Sequence, residues 1–105
     1  MRRSLPDVAV LHIALEEGFS DDEVAVSVDD AEVLHRTDVS TRMQLGLADA
    51  TDATVEPGRH VVVVTARGAS QSIDVEVEDE LFVGISLSRS GVIEHRTSRQ
   101  PFGYV

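Results

Sequence analysis

Strict alternation of apolar and polar residues is the feature that most limits what this chain can become. Leu11, Ile13 and Leu15 alternate with Val10, His12 and Ala14, and Val24, Val26 and Val28 alternate with Ala25 and Ser27. Ile73, Val75 and Val77 alternate with Asp74, Glu76 and Glu78, and Leu81, Val83, Ile85 and Leu87 alternate with Phe82, Gly84, Ser86 and Ser88. A period of two puts one set of side chains on each face of a strand, so each run predicts a strand with one dry face. Val supplies 17 of the 105 residues, and β-branched side chains suit a pleated, half-buried surface better than a helix. Val61 to Val64 is apolar on both faces, which predicts a central strand or one under a second layer.

Between these runs lies turn chemistry. Gly18 with Ser20-Asp21-Asp22, then Asp29-Asp30, Pro57-Gly58, Gly68 and Ser90-Gly91, break much of the chain at intervals of roughly 8–12 residues. That spacing predicts an all-β protein, an antiparallel Greek-key sandwich of about 7–8 strands with a prealbumin- or immunoglobulin-like character. Residues 40–54 read two ways: Met43, Leu45 and Leu47 alternate like a strand, while Ala48 to Ala53 suits a short helical turn. At 105 residues there is room for one core, here assigned to residues 1–97, with residues 98–105 as a C-terminal tail.

Composition narrows the function. The formal charge of −10 argues against nucleic-acid or anionic-membrane partners, and no apolar run approaches a membrane span. The absence of Cys excludes a disulfide scaffold, a thiolate metal site and a cysteine nucleophile. The start, Met1-Arg2-Arg3-Ser4-Leu5-Pro6-Asp7, lacks a secretory pattern, so the expected location is the cytoplasm. All nine basic side chains are Arg, and Lys and Asn are missing, a composition expected of a GC-rich prokaryote, actinobacterium-like or a halophilic archaeon.

The stretch from residue 10 to 95 resembles the PEGA and carboxypeptidase-regulatory type of prealbumin-like sandwich. The resemblance is carried by Val24-Ala25-Val26-Ser27-Val28-Asp29-Asp30, a strand ending in an acidic turn. It continues in Val55-Glu56-Pro57-Gly58-Arg59-His60 leading into Val61 to Val64, and in the amphipathic hairpin from Ser72 to Leu87. The tetrapeptide Pro-Glu-Gly-Ala is absent, and Glu56-Pro57-Gly58-Arg59 stands in the corresponding turn. The resemblance implies a sandwich that acts as a spacer or binding module. Hydroxyisourate hydrolases share this fold family: Leu11-His12-Ile13 and Pro101-Phe102-Gly103-Tyr104 are similar to two of their segments, and His12 would be the base. Their closing Tyr-Arg-Gly-Ser motif has no counterpart in this sequence.

The candidate sites follow from residue type. His12, His35, His60 and His95 fall on four different predicted strands without metal-ligand spacing, which predicts scattered outward-facing rings. Asp21, Asp22, Asp49 and Asp52 lie in acidic segments that a sandwich can gather at one end, so calcium is the candidate metal and no other cofactor is expected. In the tail, Phe102 and Tyr104 beside Arg96 and Arg99 are residue types enriched at interface hot spots. They serve either as an interaction peptide or as a cover for an open end of the sandwich. The expected function is therefore non-catalytic contact with a protein partner or with further copies. A calcium- or small-ligand-binding module and a prealbumin-type hydrolase are the alternatives.

Overall fold

The computed structural model describes residues 8–103. Eight strands form in chain order: β1 (Ala9–Leu15), β2 (Asp22–Val28), β3 (Ala31–Val39), β4 (Asp49–Val55), β5 (Gly58–Ala66), β6 (Ala69–Val77), β7 (Glu80–Leu87) and β8 (Ile93–Ser98). They make two four-stranded sheets, ordered β4-β1-β7-β8 and β3-β2-β5-β6. The protein is an all-β sandwich. Hairpins β2–β3, β5–β6 and β7–β8 stay within a sheet, and the remaining connections cross between sheets. Among the described residues no helix is long and apolar enough to cross a membrane.

One neighbouring pair departs from the antiparallel expectation. β1 runs parallel to β7, with Leu11 opposite Leu81 and Ile13 opposite Val83, whereas the other paired neighbours are antiparallel. Parallel neighbours need a long crossover, and here β2 to β6 provide it. The stretch around residue 48 is also corrected. Ala48–Ala53 forms no helical turn: Asp49–Val55 is a strand, paired residue for residue with β1. Met43 and Leu45 belong to a tight turn closed by a bridge between Arg42 and Leu47, and Met43 stands in solvent. Local alternation without a neighbouring strand does not make a strand.

The alternation elsewhere was a sound guide to burial. Leu11, Ile13, Leu15, Val24, Val26, Val62, Val64, Val77, Val83 and Ile85 are almost wholly buried between the sheets. Each such side chain contributes about 1.5–3 kcal/mol relative to exposure. β5 is the central strand that its sequence predicted: Val62 and Val64 point inward, while Val61 remains exposed on the outer face. The turns follow their residues. Asp29 and Asp30 both take positive φ (50° and 69°), as do Arg67 and Gly68 (51° and 76°), which is the geometry a two-residue hairpin needs.

Candidate functional site

The outer face of the β4-β1-β7-β8 sheet gathers the chemistry. The out-pointing phase of β1 is Val10, His12 and Ala14, all half-buried, and Glu16 follows just beyond the strand. β4 contributes Asp52 opposite His12, and β7 contributes Glu80, Phe82 and Gly84. β8 sets Arg96 opposite Gly84.

His12 bridges three strands. Its Nδ1 donates to Asp52 at 2.6 Å and its Nε2 donates to Glu80 at 2.9 Å. Ionised carboxylates only accept, so below its pKa the ring meets both as an imidazolium, with no lone pair to offer. Burial opposes the charge, but the hydrogen bonds to Glu80 and Asp52 outweigh it and raise the pKa above 6.5. The imidazolium stacks on Phe82, ring centres 4.3 Å apart and 11° from parallel.

Glu16 and Arg96 form a second lock. The guanidinium donates from Nε at 3.0 Å and from Nη2 at 2.7 Å, a forked pair on a buried carboxylate. Gly84 makes room for it: a Cβ there would lie 2.4 Å from Glu16 Oε1. The tail then folds back. Phe102 meets Phe82 edge-on at 6.5 Å, and the Arg96 guanidinium lies 3.9 Å above its ring centre. Phe102, Pro101, Phe82, Ala14 and Ala50 wall an apolar recess of about 210 Å³ with Asp52 at its rim. A groove of about 550 Å³ runs from Gly84 and Arg96 towards Met43 and Leu45.

The residues singled out from the sequence divide accordingly. Phe102 and Arg96 are brought together on this face, so the described part of the tail lies on the outside of a sheet. Tyr104 lies outside the described residues. Arg99 pairs with Glu78. Of the four aspartates, Asp21 and Asp22 stand together at the start of β2, and Asp49 and Asp52 lie on β4. The Asp21 amide donates to the Ser40 hydroxyl oxygen, and Asp22 is buried against Arg67 at 2.8 Å. The hydrogen bonds from Arg67 hold the Asp22 carboxyl below its ordinary pKa. Asp49 faces Arg36 at 3.4 Å, and Asp52 holds His12. Among the described residues no three His, Asp or Glu side chains are arranged to hold a metal ion.

His60 and His35 also meet acceptors. His60 donates to Asp29 at 2.5 Å and to the Glu56 carbonyl at 2.6 Å, and the Asp29 bond raises its pKa despite burial. His35 donates to Glu23 at 2.7 Å, which raises its pKa too. Sequence reasoning passed over Glu16, Glu80, Phe82 and Gly84. One signal was present: Phe82 falls in the solvent phase of its strand, where an aromatic needs a reason. The chain matches no model of a known protein family and no curated protein.

Proposed function

We propose that this chain is a non-catalytic β-sandwich that works by contacting protein, either a second copy or a subunit it accompanies, through the outer face of the β4-β1-β7-β8 sheet. The observation that carries this reading is the pre-organised group of Phe82, Phe102 and Arg96. Aromatic and Arg side chains dominate interface hot spots, and rigid ones lose little entropy when a partner arrives. Here Arg96 is held by Glu16, and Phe82 is backed by the His12 ring. His12 spends both nitrogens on carboxylates, which favours a structural role over that of a base. As part of the same proposal, the sandwich is of the PEGA and carboxypeptidase-regulatory-like kind, a cytoplasmic spacer or binding module.

The test is a photo-crosslinking residue placed in the native host at Thr54 or Glu94, on this face, or at Ser27 on the other sheet. Protein adducts should form at the first two positions and weaken with Phe102→Ala or Arg96→Ala. Equal yields at all three positions, or none at Thr54 and Glu94, would overturn the reading.

A further inference from the structure

The edge of the second sheet carries a separate contact. Edge strands expose unpaired backbone groups, and proteins usually blunt them with bulges, Pro, charged side chains (Lys above all) or covering segments. β3 is interrupted by two register shifts and by Asp38 at φ 57°, and Arg36 ties it across the sandwich to Asp49 of the edge strand β4. β8 has only six residues, and the tail beyond it folds back over its sheet. β6 differs. Its nine residues pair with β5 from Ala69 to Val77 without a shift, and it contains no Pro, Lys or Arg and no residue of positive φ. In an antiparallel strand the backbone groups not bonded to the neighbour point the other way, so β6 offers a straight row of them to solvent.

The side chains of this edge state what it would accept. Ser70, Ser72, Asp74 and Glu76 are exposed along it, and among the described residues neither Asp74 nor Glu76 is in an ion pair. A second copy is a poor occupant. Two β6 strands meeting antiparallel about a two-fold axis at Asp74 would set that carboxylate against itself, which is destabilising, while an axis at Ile73 would leave Asp74 and Glu76 facing only Ser72 and Ser70, with no cation to meet them. The chain's net charge of −10 adds to the repulsion. We propose that β6 accepts an added strand from another protein, an extended segment with Lys or Arg at alternate positions facing Asp74 and Glu76. Main-chain hydrogen bonds would supply affinity and the alternate charges would set the register. The same carboxylates would then favour a basic partner over a second acidic copy. This contact is independent of the aromatic face.

The test uses the folded protein and a nine-residue peptide of alternating Val and Lys. Amide exchange read by NMR should slow about tenfold or more at alternate β6 positions when the site is filled. The paired substitution Asp74→Lys with Glu76→Lys should abolish that protection and transfer it to a Val-Glu peptide. The same Val-Lys peptide N-methylated at alternate amides leaves the protein untouched and should give no protection. Protection absent from β6, or equal with the N-methylated peptide, would overturn the proposal.

Discussion

On the β4-β1-β7-β8 sheet the solvent-facing side chains are tied to one another: Asp52 and Glu80 to His12, His12 to Phe82, Phe82 to Phe102, Phe102 to Arg96 and Arg96 to Glu16. On the β3-β2-β5-β6 sheet the corresponding positions carry Ala25, Ser27, Val63, Thr65, Ser72 and Asp74, with His35 joined only to nearby carboxylates. Both inner faces bury the same kind of Val and Ile. The two sheets are alike as structure and unlike as surface. Burial requires only that one phase of each strand be apolar, so the other phase is free to build a rigid platform on one side and a hydrated face on the other.

Gly84→Val tests the platform most severely. The new side chain would occupy the space of the Glu16 carboxylate, strand a buried charge and cost about 2–4 kcal/mol in urea unfolding. A loss no larger than that of Ser27→Val, on the other face, would show that the Glu16–Arg96 pair moves aside freely. Within the shared core, Val75→Ala should cost about 1–3 kcal/mol. The neighbouring out-pointing Ser72→Ala should stay within about 0.5 kcal/mol. Equal losses would mean that the faces of β6 have been exchanged.

Phe102→Ala removes the tail's grip and should cost about 1–2 kcal/mol, since the ring is half-buried against Phe82 and Arg96. Phe82→Ala should cost at least as much, and the double variant should fall short of the sum, because the two rings touch. Additive losses would place Phe102 somewhere other than on Phe82.

The smallest effect separates the two faces by pH. His12 and His35 both have raised pKa values, from hydrogen bonds to carboxylates that outweigh burial at His12 and are the leading cause at His35. A raised folded value means the stabilisation is complete below the ordinary 6.5 and is lost as pH climbs through the folded pKa. His12 has a side-chain exposure of 25% against 48% for His35, so solvent screens it less. In a His60→Gln background, the fall in melting temperature from about pH 6 to 9 should flatten with His12→Gln and hardly change with His35→Gln. The reverse order would shift the proton-linked clamp to the second sheet.

Several of these features could be read along the chain, because they are local. Alternation at Leu11–Leu15, Val24–Val28, Ile73–Val77 and Leu81–Leu87 gave both strand and buried face, since a period of two admits one dry side. Asp29-Asp30 and Gly68 marked their turns because few residues tolerate positive φ. The tertiary structure decided everything that depends on which strand lies beside which. It paired β1 with β7 in parallel and turned residues 49–55 into a strand by giving them β1 as a neighbour. It gave Asp22, Asp49 and Asp52, candidates for a metal site at one end of the sandwich, separate partners in Arg67, Arg36 and His12. It brought Glu16 to Arg96 across 80 positions, and His12 to Glu80 across 68. Such partners carry no mark of one another in the sequence, because a side chain's charge and size fix what it can bind and only sheet order fixes what stands within reach.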